Sequence, residues 1–257
     1  MDETDRSAPG APHTRTGPCH DGGVLTETPL GPGAVVWRSR NGAPAKIPAD
    51  GCVDLIADSG DVWICGPQTR WLRSSATGDQ GMLGLRLSAG TALWLLPDCL
   101  PELRDQSISL DSVVSGPPNL RDLMLRAWES AAPHAELAPL RPALDAPEPW
   151  PLLVSRSADA GLRASEAAHH LGCSDRTLRR RMLSAFGYGY ATLLRIRRAE
   201  RARALISAGT DLARAAAEAG YADQAHMCRD FAPLVGASPA RIAARHARNS
   251  TRSSSSA

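Results

Sequence analysis

The C-terminal hundred residues contain one pattern twice, and that repetition limits the possible folds more than any other feature of the chain. Ala164, Ala167, Ala168 and Leu171 stand at i, i+3, i+4 and i+7, one face of a helix, and Gly172 follows. Leu212, Ala215, Ala216 and Ala219 repeat the spacing 48 residues on, with Gly220 next. After each glycine comes a second helical face: Leu178, Met182, Ala185 and Phe186 in one copy, Met227, Phe231, Leu234 and Val235 in the other, now offset by 49. Gly187 and Gly236 close the two units. A helix, a short turn with glycine and a second helix is the layout of a helix-turn-helix. Ala167 and Ala168 are small enough to let the second helix cross the first closely, and Ser174 and Asp223 stand where N-caps belong.

A plain bundle of helical hairpins would share these apolar faces, but it would not need their polar ones. Arg176, Arg179, Arg180 and Arg181 fall within six residues of one short helix, a costly cluster unless a polyanion neutralises it. The net charge of +2 conceals an asymmetry. Residues 161–257 carry 16 arginines and 7 acidic residues, whereas residues 1–160 carry 13 basic and 20 acidic ones. A basic module behind an acidic one points to nucleic acid as partner of the former. Lys46 is the single lysine.

In order and spacing the C-terminal residues resemble the arabinose-regulator (AraC) family of bacterial transcription factors. The signature pieces are Ala167-Ala168-x-x-Leu171-Gly172-Cys173-Ser174-x-Arg176-Thr177-Leu178-Arg179-Arg180, then Arg198-Ala199-Glu200-Arg201-Ala202-Arg203-x-Leu205. They continue with Ala216-x-x-Ala219-Gly220-Tyr221-x-Asp223-Gln224, Cys228-Arg229-x-Phe231 and Gly236-x-Ser238-Pro239. The first unit departs from the pattern by ending Gly187-Tyr188-Gly189-Tyr190 where the family has Gly-x-Ser-Pro, and His226-Met227-Cys228 is an unusual filling of the second recognition helix. The resemblance implies a linker helix over about Tyr190 to Ile206 and recognition helices over 174–186 and 223–235. It implies base contacts from Arg176, Arg179, Arg180, Gln224, His226 and Arg229, with Ala225 offering only an apolar touch. It assigns phosphate contacts to Ser174, Arg197, Arg198 and Arg201.

The N-terminal part has another texture. Short apolar runs (Ala34 to Trp37, Cys52 to Ile56, Val62 to Cys65, Met82 to Leu87) alternate with turn signals such as Asn41-Gly42 and Asp58-Ser59-Gly60-Asp61, which predicts a small β-sandwich or barrel. A helix is expected at Leu120 to Ser130. The runs Gly51 to Ile56, Gly66 to Thr69 and Gly84 to Gly90 resemble the compact cupin-like domain that precedes the DNA-binding part in one branch of the family. The expected fold class is therefore α+β: a β-rich cupin-like domain, then an all-α domain with two helix-turn-helix units on a long linker helix. The expected boundaries are a disordered tail at 1–30, a sensor or dimerisation domain at 31–132, a Pro-rich linker at 133–151, the DNA-binding domain at 152–248 and a frayed tail at 249–257. The six tryptophans all precede Leu152 and are expected in a core or around a small-molecule pocket.

An enzyme is the competing class, and the sequence disfavours it. No histidine falls between Gly31 and Ser115, where a metal-dependent barrel would need its ligands, and no nucleotide-binding or nucleophile-elbow motif stands in a suitable context. Catalytic residues, metal and cofactors are expected to be none. The six cysteines form no C-x-x-C pair. No apolar run reaches the roughly 20 residues of a membrane span, and the N-terminus lacks a secretory signal, so a cytoplasmic protein is expected. The expected partners are double-stranded DNA first, then RNA polymerase, a small-molecule effector and a second copy of the chain, with no membrane.

Overall fold

The computed structural model describes residues 15–18, 24–113, 116–145 and 149–254. Its first half is β-rich and its second half helical, in the order the sequence predicts. The strands are β1 (Arg15–Pro18), β2 (Val24–Gly31), β3 (Ala34–Arg40), β4 (Lys46–Ile47), β5 (Val53–Asp58), β6 (Asp61–Cys65), β7 (Leu72–Arg73), β8 (Met82–Leu87) and β9 (Ser107–Ser109). Seven of them form one antiparallel sheet in the order β1-β2-β3-β8-β5-β6-β9, while β4 and β7 pair separately. The β5–β6 hairpin turns on Ser59 and Gly60 with φ of 47° and 94°. Positive φ at both central residues matches the right-handed twist of the flanking strands, as two-residue hairpin loops require.

Strand alternation gives the sheet two different faces. Val53, Leu55 and Ala57 of β5, Val62 and Ile64 of β6, and Leu83, Leu85 and Leu87 of β8 are buried on one face. Each valine, leucine or isoleucine so withdrawn from water contributes about 1.5–3 kcal/mol. Asp54, Ile56, Trp63, Cys65, Met82 and Arg86 occupy the alternate positions and line a cavity, roofed by the segment that carries β7. Helix α1 (Leu100–Leu103) follows the sheet's central strands, and α2 (Leu120–Glu129) packs on the core face through Leu120, Leu123, Met124 and Ala127.

Four boundaries differ from expectation. Residues 133–145 are not an extended linker: they form α3 (Pro133–Glu136), a 3-10 turn and α4 (Arg141–Leu144). Leu137, Leu140 and Leu144 from this stretch are buried in the sheet's core. The prolines stand in the first turns of these short helices, where a missing N–H costs nothing. The described parts of the expected 1–30 tail are the strands β1 and β2; the rest of that tail lies outside the described residues. At the other end, the helix runs on to Ser254 instead of fraying at Asn249. No helix among the described residues is long and apolar enough to cross a membrane.

The helical domain comprises α5 (Trp150–Asp159), α6 (Ala164–His170), α7 (Asp175–Phe186), α8 (Tyr190–Ser207), α9 (Leu212–Glu218), α10 (Gln224–Val235) and α11 (Pro239–Ser254). It begins earlier than Leu152. Trp150 is buried edge-to-face against Phe186 with centroids 6.2 Å apart, and Arg181 lies over its ring at 4.3 Å. The two domains share a close seam. A Cβ on Gly90 of the sheet domain would stand 2.7 Å from both Phe186 and Pro151. Buried Tyr188 reaches across to donate its hydroxyl to the Gly51 carbonyl at 3.3 Å. Tyr188 thus serves the contact between domains.

Candidate nucleic-acid interface

Both units are built as their sequences dictate. In the first, α6 starts with the Arg163 N–H donating to Glu166 Oε2 at 2.6 Å, and Ala167 and Ala168 are fully buried where α7 crosses. Ser174 caps α7, its Oγ accepting from the Thr177 N–H at 3.2 Å. Gly187, at φ 71°, ends α7 in the left-handed conformation. In the second, Asp211 caps α9, and Asp223 caps α10 by accepting from the His226 N–H at 2.6 Å. Gly236, at φ 70°, ends α10 in the same way.

The faces of α7 and α10 separate cleanly. Leu178, Met182, Ala185 and Phe186 are buried on α7, and Arg176, Arg179 and Arg180 are exposed. On α10, Met227, Phe231, Leu234 and Val235 are buried, while Gln224, Ala225, Cys228 and Arg229 are exposed. His226 is half-buried, its ring edge-on to Tyr221 with centroids 5.1 Å apart.

Helix α8 is the spine between the units. Leu193, Ile196, Ala199, Ala202 and Ile206 bury one side of it. At its start the Tyr190 hydroxyl donates to the Leu162 carbonyl, and burial pushes that hydroxyl's pKa up to about 12. Arg195 reaches from α8 to α10, where its Nε and Nη2 both donate to Asp230 Oδ1 at 3.0 and 2.8 Å. Asp230 is 7% exposed, so this pair ties the second unit to the spine.

The expected phosphate-binding arginines divide. Arg197 turns inward: it pairs with Glu200 at 2.9 Å and Asp159 at 3.3 Å. Burial disfavours its charge, but the two carboxylates more than offset this and hold its guanidinium above the usual range. Paired in this way, Arg197 is a strut between α8 and the end of α5. Arg201 donates from Nη2 to the Asp159 carbonyl at 2.6 Å, anchoring α8 to the end of α5. Arg198 lies half-buried beside Gly220, and Ser174 is exposed at the start of α7. The Arg195–Asp230 pair escaped sequence reasoning. Its one trace is an acidic residue on the apolar side of α10, next to Phe231.

Residues 167–245 match a family model described as a helix-turn-helix domain. Residues 34–109 match one described as a domain of unknown function (DUF6597). No protein with a curated description matches significantly. Among solved structures, the chain is similar to an apo lysine-to-alanine variant of ToxT from Vibrio cholerae strain SCE256, at 10% identity and a TM-score of 0.39, over 81% of this chain and 92% of that one. That likeness is too distant to bear on function.

Proposed function

We propose that this chain, a DNA-binding transcription regulator whose C-terminal domain is of the AraC helix-turn-helix type, reads two adjacent major-groove segments with α7 and α10 and is modulated by a small molecule held in its β-domain. The observation that carries the first part is the pairing of two capped amphipathic helices on one rigid spine, each with its polar face exposed and its apolar face buried. Arg176, Arg179 and Arg180 face the bases of one segment. Arginine suits guanine there, because its fork matches the O6 and N7 acceptors bidentately. Gln224, His226 and Arg229 face the other segment. Ser174, Arg198 and Arg201 stand closest to the phosphates. Modulation draws support from the cavity under the sheet, which three tryptophans line.

Selection of bound duplexes from a random pool tests this reading with the full chain. The expected product is a bipartite site whose two elements lie about one helical turn, roughly 34 Å, apart, since each unit fills one major-groove segment on the same face. Enrichment of a single short block, or no enrichment at all, overturns it.

A further inference from the structure

The sheet domain grips the second helix-turn-helix unit at one defined place, the C-terminus of α10. The last carbonyls of any helix lack partners within it, and that end carries partial negative charge. Here the sheet domain supplies the missing donors. The Trp71 N–H donates to the Pro233 carbonyl at 3.0 Å, and the Ala49 N–H donates to the Leu234 carbonyl at 2.7 Å. Lys46 donates from Nζ to the Gly236 carbonyl at 2.6 Å. The chain's single lysine is thus spent on this cap, where a compact ammonium suits a helix C-terminus. The same ammonium lies 4.3 Å from the centroid of the Trp71 ring, a cation–π contact. The ring itself covers Gly236 so closely that a Cβ there would stand 2.7 Å from it.

Trp71 also belongs to the wall of the cavity. The cavity holds about 750 Å³, within the range of small-molecule sites, and Trp37, Trp63 and Trp71 supply indole surface to it. Gly84 makes room for Trp37, since a Cβ there would meet the indole at 2.0 Å. The charged floor is already satisfied. Buried Asp54 accepts from Trp37 Nε1 at 2.9 Å and from Arg86 Nη2 at 3.0 Å, and Arg86 also faces Asp50 at 3.5 Å. Gln68 is different. It lines the cavity, is 5% exposed, and its side-chain Nε2 has no partner. A buried donor left unpaired costs about 1–3 kcal/mol; the Nε2 is sealed from the cavity as it stands, so the Gln68 side chain must turn inward for a ligand acceptor to recover that cost.

We infer that the cavity takes an uncharged molecule with a flat apolar ring system and one hydrogen-bond acceptor for Gln68, and that Trp71 passes its presence to α10. Filling the cavity presses on the inner side of the indole whose outer side caps Gly236. Lys46 and the backbone of Trp71 move with it, so the second unit is displaced while the first is held by its own seam. The inference rests on the reading that both units bind DNA.

Three probes with one ring system and different charge test it on the full chain: naphthaleneacetamide, naphthaleneacetate and naphthylmethylamine. Calorimetry measures their binding. DNA affinity is then measured, with and without saturating probe, for the selected bipartite duplex and for one with the α10 half scrambled. The amide is expected to bind at least tenfold tighter than the acid or the amine. It is expected to change affinity for the bipartite duplex at least threefold and for the scrambled one not at all. Lys46→Met, outside the cavity wall, is expected to keep amide binding and lose the effect on DNA. Binding of none of the three, or preference for the acid or the amine, overturns the ligand class. Amide binding without an effect on DNA, an equal effect on both duplexes, or an effect that survives Lys46→Met overturns the route through Trp71. A chain that binds no duplex under any condition refutes the DNA reading instead.

Discussion

Asp223 separates two things a helix-capping carboxylate does at a DNA-facing surface. Its side chain accepts from the His226 N–H at 2.6 Å and so closes the start of α10. Truncating an N-cap to alanine costs roughly 0.5–2 kcal/mol, and losing the charge near the helix N-terminus costs about 0.3–1 kcal/mol within that range. Asparagine caps as well as aspartate, so Asp223→Asn loses only the charge. Asp223→Ala should therefore lower stability by about 1–2 kcal/mol and Asp223→Asn by only about 0.3–1 kcal/mol, read as urea midpoints at constant slope. On DNA the order reverses, because the carboxylate repels phosphates. A phosphate about 8 Å away in water contributes about 0.5 kcal/mol. Asp223→Asn should then bind every duplex about twofold tighter at low salt, an advantage that fades as salt rises. If Asp223→Asn binds its site more weakly than wild type, the carboxylate contacts a base and the assignment of this residue as a cap alone is wrong. If Asp223→Ala leaves the urea midpoint unmoved, the cap does not hold α10.

Three further outcomes follow from the same geometry. Arg180→Ala should relax preference at one or two base pairs by about 1–3 kcal/mol, whereas Arg198→Ala should weaken all sequences alike and lower the salt slope by about one unit; binding isotherms over a salt series distinguish them. A helical fragment that begins at Pro149 should be more stable than one that begins at Leu152 by about 3–5 kcal/mol, as for truncation of a buried tryptophan, because Trp150 belongs to that core; equal thermal midpoints would contradict this. Cys228, exposed on α10 beside Arg229, should be alkylated readily in the free protein and protected by the selected duplex, as peptide mapping by mass spectrometry would show; unchanged labelling would mean that this face is not covered.

The helical half was legible because each of its devices is local. The i, i+3, i+4 faces, Ser174 and Asp223 as caps and the closing glycines each depend on residues within one turn of one another, and the structure places all of them where the spacing puts them. Strands β3, β5, β6 and β8 were legible for the same reason, since alternation and a Ser59-Gly60 turn act over a few residues, whereas β1 and β2 lie in a stretch that reads as a tail. What failed was non-local. Prolines 133, 139 and 142 read as a linker, yet Leu137, Leu140 and Leu144 between and after them find a core supplied by the sheet a hundred residues earlier. Arg197 reads as one more basic residue on a polar helix face until Asp159, on another helix, appears beside it. Lys46, Trp71 and Tyr188 have no local signature at all, because what they do depends on how the two domains dock.

On the proposed reading, one chain places two recognition helices in two major-groove segments on the same face of the duplex. The most direct measurement is the affinity of the chain for its selected duplex after insertion of 5 base pairs between the two elements. Half a helical turn carries the second segment to the opposite face, beyond the reach of α10 on its rigid spine. Affinity is expected to fall to that of a duplex bearing only the α7 element, and an insertion is expected to do no harm when that element is already scrambled. Unchanged affinity after the half-turn insertion would contradict that reading.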